Sequence, residues 1–331
     1  AYSVPLNGSV LPPPTTSFPA NEIGTVADRR VFAGQYAQLD WKPDSRWDFL
    51  GGIRLNEAYE HKNSSDLVLP PPQLASESVS KTMIRPSETI GASFRAWTFE
   101  EDETVIYADF RNAFKPSALD FGPDYTPDLL SPETAQSYEA GLKGAAVSGR
   151  LSYQAELFLM DFNNLVVATS TGALANAARE KLKGVEVETR YQLAPELALA
   201  ANGSYHDARF AQYLFFDGVS SVNVAGRQLP LSPSGLLSAG ILYTPRRGFG
   251  STVVANYVGR RFLDEQNVAS VGGYTRLDAT LTFGFERYRI TLEGTNLTDQ
   301  RPPVSASEFG SQSFYLLPAR ALWLRIGYDW R

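Results

Sequence analysis

Arg276–Glu293, RLDATLTFGFERYRITLE, is the stretch whose reading decides the fold. Leu277, Ala279, Leu281, Phe283 and Phe285 alternate with Arg276, Asp278, Thr280, Thr282 and Gly284. A strand turns successive side chains to opposite faces, so period two makes one face apolar and the other wet. Glu286 and Arg287 form a tight turn, after which Tyr288, Ile290 and Leu292 alternate with Arg289, Thr291 and Glu293. The last segment repeats the pattern, with Leu322, Leu324, Ile326, Tyr328 and Trp330 against Arg325, Asp329 and Arg331.

Working outward from this hairpin, the chain holds about thirteen such segments. They lie near 31–42, 47–60, 89–99, 104–114, 134–145, 150–162, 180–193, 197–208, 236–245, 250–262, 274–285, 288–298 and 318–331. Most reach the roughly nine to eleven residues that a tilted strand needs to cross a bilayer. The connections at 43–46, 100–103, 146–149, 194–196, 246–249 and 286–287 are short. Those at 61–88, 115–133, 163–179, 209–235, 263–273 and 299–317 are long. Short and long links therefore fall on opposite sides, as in outer-membrane barrels with short periplasmic turns and long extracellular loops. The fold class is all-β, an antiparallel transmembrane β-barrel.

A soluble sandwich or propeller also alternates, and three features separate it from a membrane barrel. A sandwich seldom sorts short and long links so regularly. Aromatic residues gather beside the short turns, at Trp41, Trp47, Trp97, Tyr243, Phe285, Tyr288, Tyr328 and Trp330, as in the girdle at a membrane interface. Charges also keep parity: Glu186, Glu188 and Arg190 share one face, Val185, Val187, Tyr191 and Leu193 the other. Lysine or arginine facing lipid at mid-bilayer costs about 2–4 kcal/mol, which keeps a lipid-facing row free of them.

Composition narrows the function classes. In 331 residues no stretch approaches eighteen consecutive apolar residues, and mean hydropathy is -0.21, which excludes a helical membrane protein. With no cysteine and only His61 and His206 as histidines, no metal site is expected. No cofactor is expected either. A net charge of -6 and a pI near 5.2 argue against nucleic acid as a partner. Ser204 lies two residues before His206 on one alternating face, but no GxSxG motif accompanies them. Glu186 and Glu188 are a pair of the kind that polar lumen rows carry. No catalytic residue is assigned and the chain is not expected to be an enzyme.

Five motifs in order give the pattern a family. Tyr107–Pro116 reads YADFRNAFKP, Pro132–Gly144 reads PETAQSYEAGLKG, and Lys183–Glu188 reads KGVEVE. Gly294–Asp299, GTNLTD, and Pro318–Arg320, PAR, precede the terminal alternating strand. Together they resemble the C-terminal part of the barrel of TonB-dependent outer-membrane receptors. Two departures stand out: Ala319 replaces the usual glycine, and Trp330 is followed by Arg331 where the family ends on an aromatic residue. The family's plug domain, TonB box and first barrel strands have no counterpart.

The resemblance implies a location in the outer membrane of a Gram-negative bacterium. It further implies energy-coupled uptake of a scarce ligand such as a ferric siderophore, cobalamin, haem or a carbohydrate. The implied partners are outer-membrane lipid, the barrel assembly machinery through the C-terminal strand, the TonB complex through an N-terminal part, and a small-molecule ligand. In the long loops, Asp120, Phe121 and Tyr125, then Tyr213, Phe215 and Phe216, then Phe309, Phe314 and Tyr315 are the candidate ligand contacts. The alternative role for these rings is to pack the loops on one another.

Bacterial barrels close with an even number of strands, whereas thirteen is odd, and a plugged transporter has 22. The chain is therefore expected to be the C-terminal portion of a 22-stranded barrel, with residues 1–30 as an extracellular loop or incomplete strand and 31–331 as barrel. A 14-stranded barrel would need a further strand from Ala1–Val10. The competing function is a passive porin or a smaller self-contained barrel.

Overall fold

The computed structural model describes residues 24–68, 73–116, 130–168, 174–217, 219–306, 313–328 and 330. Its first eight strands are β1 (Gly24–Trp41), β2 (Trp47–Val68), β3 (Gln73–Phe99), β4 (Asp102–Lys115), β5 (Glu133–Ala146), β6 (Leu151–Ala168), β7 (Leu174–Ala194) and β8 (Leu197–Gln212). There follow β9 (Leu214–Phe216), β10 (Ser221–Asn223), β11 (Gly235–Tyr243), β12 (Gly248–Val258), β13 (Arg261–Phe262) and β14 (Ser270–Val271). The last are β15 (Tyr274–Phe285), β16 (Tyr288–Thr295), β17 (Pro303–Ala306), β18 (Phe314–Leu316) and β19 (Ala321–Tyr328).

Thirteen of these form one antiparallel sheet in the order β1-β2-β3-β4-β5-β6-β7-β8-β11-β12-β15-β16-β19, so neighbours in sequence are neighbours in space. The pairs β9–β10, β13–β14 and β17–β18 are short ribbons built on the long connections. Among the described residues β1 and β19 are the two edges of the large sheet.

The alternation reads the two faces correctly. Phe283, Ile290 and Ile326 stand side by side across β15, β16 and β19, as do Leu281, Leu292 and Leu324, and all six are exposed. Among the described residues the wall is one sheet thick, with no second layer to cover that apolar row, the arrangement of a barrel whose outer face meets lipid. On β7 the same outward row runs Leu193, Tyr191, Thr189, Val187, Val185 and then becomes Lys183, Lys181 and Arg179. There Arg179 and Lys181 meet Asp161 of β6 at 2.6 and 3.7 Å. The clean stretch of nine residues from Val185 to Leu193 matches the length of a membrane crossing.

Several strands run beyond the sequence reading. β2 and β3, of 22 and 27 residues, continue through most of the connection expected at 61–88, with unbroken pairing from Trp47↔Phe94 to Val68↔Gln73. Beyond the membrane both faces of a strand are wet, so apolar alternation disappears while the backbone ladder goes on. Pro86 is tolerated because β3 pairs with β4 only from Thr89 onward, leaving one side of β3 free at the proline. β1 likewise begins at Gly24, ahead of the expected residue 31; residues 1–23 lie outside the described residues.

A cluster of buried apolar side chains sits at the outer ends of β6, β7 and β8. Ala178, Phe210, Tyr213 and Val224 form it, with Leu165, Val167, Phe215, Val222 and Leu229 packed around them. This small core holds the loop between β8 and β11 against the sheet.

Candidate functional site

The polar face of β4–β8 forms a continuous wall. Tyr107, Gly141, Glu156, Glu186 and Ser204 lie opposite one another in register on five successive strands. Tyr107 Oη donates across β5 to Glu156 Oε2 at 2.6 Å, and Gln154 Nε2 donates to the same carboxylate at 3.1 Å. Gly141 makes this reach possible. A Cβ there would lie 2.8 Å from Tyr107 Oη, 2.9 Å from Glu156 Cβ and 2.5 Å from the Ala155 carbonyl oxygen. Gly184 plays the same part on β7, where a Cβ would lie 2.9 Å from a Phe158 ring carbon and 2.4 Å from the Tyr205 carbonyl oxygen. The glycines in SYEAGLKG and KGVEVE are thus slots for neighbouring aromatic rings.

Electrostatically the wall is acidic. Asp109 and Glu139 face each other and share Arg111, at 3.0 and 3.9 Å. Glu156 stands directly opposite Glu186, a like-charge pairing that weakens a sheet. Lys143 Nζ lies 5.4 Å from the centre of the Tyr107 ring. Glu186 and Glu188 are exposed on this face. Two hollows mark the wall: one of about 320 Å³ between Gln154, Glu156, Glu186, Glu188 and Asn202, the other of about 760 Å³ beside Asp109, Arg111, Glu139 and Lys143. Such a surface binds donors and cations. Ser204 and His206 share no hydrogen bond among the described residues; the His206 backbone amide donates to the Ser234 carbonyl.

The remaining motifs are halves of cross-strand clasps. Lys115, from the FKP end of one motif, pairs at 3.0 Å with Glu133 from the start of the next, closing the base of the connection between β4 and β5. Near the end, Asn296 is buried with φ of 49°, a left-handed conformation that asparagine tolerates. Its Nδ2 donates to the Gln300 and Pro318 carbonyls at 2.8 Å each. Its Oδ1 accepts from the Gln300 amide, and the Asp299 carboxylate accepts from the Arg320 amide at 2.9 Å. GTNLTD and PAR therefore lock the last two strands of the sheet together.

The loop candidates fare differently from one another. Tyr213 is buried, its ring tilted against that of Phe210 with centroids 5.1 Å apart; Phe215 packs beside it edge-on at 6.0 Å. Phe216 and Phe314 are half-buried and Tyr315 is exposed. Asp120, Phe121, Tyr125 and Phe309 lie outside the described residues. At the same end is a residue that the sequence does not single out, Arg261, buried with Nη1 lacking a hydrogen-bond partner. Its guanidinium lies over the Tyr274 ring and donates to the Pro303 carbonyl.

The family model described as TonB dependent receptor-like, beta-barrel, matches residues 2–297. The chain belongs to that family. Its members are receptors and transporters of the Gram-negative outer membrane rather than enzymes. The ferrioxamine receptor of Yersinia enterocolitica is 24% identical over 231 residues, covering 67% of this chain and 31% of the receptor. The metal-pseudopaline receptor of Pseudomonas aeruginosa is 24% identical over 267 residues, covering 78% of this chain and 35% of that protein. Among solved structures, the ferric yersiniabactin uptake receptor of Yersinia pestis superposes with a TM-score of 0.77 at 21% identity, over 93% of this chain and 47% of that one. The chain thus spans about a third of the curated relatives it matches and about half of the solved receptor. The thirteen-stranded sheet is the TonB-dependent barrel architecture, seen in part.

Proposed function

We propose that this chain forms a wall of an outer-membrane receptor that imports a ferric siderophore or a related metal chelate, coupled to the TonB complex through a segment outside this chain. The family match carries the reading, and the printed names of the relatives, receptors for ferrioxamine and metal-pseudopaline, give the ligand class. The candidate contacts remain Asp120, Phe121, Tyr125, Phe216, Phe309, Phe314 and Tyr315, with Tyr213 and Phe215 shaping the loop that presents Phe216. The exposed rings Trp41, Trp47, Trp97, Tyr243, Phe285, Tyr288, Tyr328 and Trp330 serve as the interfacial girdle in outer-membrane lipid. β19 presents the terminal strand to the barrel assembly machinery. The carboxylates Glu186 and Glu188 meet cationic or hydrogen-bonding groups of whatever fills the lumen.

The experiment is uptake of radiolabelled iron from a panel of siderophores by cells with and without the parent gene, under iron limitation. Loss of transport of one chelate class on deletion, reproduced by removing TonB, is the expected result. Unchanged uptake of every chelate, or a steady conductance that persists without TonB, would sink the proposal.

A further inference from the structure

At the short-turn end of β12, β15, β16 and β19 the sheet carries a hollow of about 880 Å³ lined by Arg247, Phe283, Phe285, Arg287, Tyr288 and Tyr328, with Glu286 as its carboxylate. Phe285, Tyr288 and Tyr328 lie side by side in register, and the Tyr288 and Tyr328 rings are 5.0 Å apart. These rings lie on the face that carries Ile290, Leu292, Leu324 and Ile326, all exposed. The hollow therefore opens where an apolar surface ends and a turn begins.

The charge at this place differs from that at the turns beside Arg95 and Arg150, and exceeds that of the turn between β1 and β2, where Arg46 is exposed without an ion pair among the described residues. Arg95 is paired with Glu103 at 3.4 Å, and Arg150 is spent on the Gln192 and Leu193 carbonyls and the Tyr191 ring. Arg246, Arg247, Arg287 and Arg289 are all exposed, and none of them makes an ion pair or side-chain hydrogen bond among the described residues. Two uncommitted guanidinium groups, Arg247 and Arg287, thus line an aromatic hollow at the border of the lipid face, with Arg246 next along the turn, Arg289 on the opposite face of β16 and Glu286 as the one carboxylate in the lining.

We propose that this hollow seats the headgroup of an anionic phospholipid in the periplasmic leaflet of the outer membrane. Its phosphodiester would bridge Arg247 and Arg287 while its acyl chains lie along Ile290, Leu292, Leu324 and Ile326. Guanidinium forks match phosphate oxygens in geometry and charge, and aromatic rings favour headgroup depth. Basic pockets at a membrane surface select anionic over zwitterionic headgroups. A lipid fits better than a free anion because every ring of the lining faces the apolar side.

Native mass spectrometry of the full receptor in mild detergent tests this, by titration with phosphatidylglycerol and, separately, phosphatidylethanolamine. The receptor is expected to prefer phosphatidylglycerol. Arg247→Gln should weaken that lipid about fivefold and the double variant with Arg287→Gln roughly thirtyfold, while phosphatidylethanolamine, whose ammonium already offsets the attraction of its phosphodiester to the arginines, should weaken by less, so that the preference between the two lipids shrinks. Arg287→Lys should retain most of the binding, Arg95→Gln all of it, and Glu286→Gln should tighten it. The Glu286→Gln arm stands even where the double variant does not fold, as judged by heat-modifiable migration. Equal affinity for the two lipids, a preference that survives the double variant, or displacement by inorganic phosphate as effective as by lipid would overturn the assignment.

Discussion

A Gly141→Val variant of the parent receptor is expected to lose the heat-resistant folded form and to fall sharply in outer-membrane yield. The new Cβ would meet the Ala155 carbonyl oxygen at 2.5 Å, Tyr107 Oη at 2.8 Å and Glu156 Cβ at 2.9 Å. A flexible side-chain tip can move aside, but the carbonyl belongs to the β5–β6 ladder and cannot move without breaking pairing. Overpacking a settled site costs about 1–3 kcal/mol, and with a backbone atom as the obstacle the upper end applies. The Tyr107–Glu156 hydrogen bond is lost as well, worth about 1.5–3 kcal/mol for a charged acceptor. Tyr107→Phe separates the two effects: it removes the hydrogen bond and leaves the slot, so it should fold with a lowered urea midpoint. Equal stability of Gly141→Val and the unaltered receptor in urea titration would refute the slot.

Asn296→Ala is expected to loosen the junction of β16 and β19 and to destabilise the barrel by on the order of 4 kcal/mol. Alanine at φ of 49° carries left-handed strain of about 1–2 kcal/mol. The buried Asn296 side chain is the donor to the Pro318 and Gln300 carbonyls, and each of these hydrogen bonds, when lost, costs about 0.5–1.5 kcal/mol. Asn296→Gly relieves the strain but not the lost hydrogen bonds, so it should fall between alanine and the unaltered protein. Because β19 is the terminal strand of the sheet, its detachment should appear as protease sensitivity at 299–320 before global unfolding. Limited proteolysis in outer-membrane vesicles reads this directly, and a cleavage pattern indistinguishable from the unaltered receptor would contradict the clasp.

Much of the architecture was legible in the residues. Alternation at 276–293 is visible because a lipid-facing row tolerates few polar groups and the opposite row faces water, so the bilayer writes period two into the chain. Half of the strand order followed, since the six short turns leave their flanking strands no choice of neighbour, while the pairings across the long connections are those of the sheet itself. The extent of β2 and β3 was not legible: residues 61–88 leave the bilayer, both faces are wet, and the pattern that reports a strand vanishes although its hydrogen bonds continue. The same loss of contrast hides the membrane boundary on β7, where Lys183 continues the outward row of Val185.

The loop aromatics illustrate a different limit. Tyr213 and Phe215 look like ligand contacts in a polar connection, yet they pack on Phe210, Val222 and Val224, because a ring buried in a loop core and a ring awaiting a ligand have the same local sequence. Arg261 escaped notice for the converse reason: nothing near it in sequence announces that Pro303 and Tyr274 close over it.

The sequence by itself determined the class of fold, the strand pairings across the short turns, the lipid and lumen faces and the family, because each depends on residues that are close along the chain or alternate with a fixed period. Only the tertiary structure decided which of those residues meet. Tyr107 and Glu156 are 49 positions apart, Asn296 and Pro318 are 22 apart, and their contacts depend on the relative register of strands. Register is set by many weak pairings summed along the ladder, and the Gly141 slot takes the Tyr107 side chain in the register that forms.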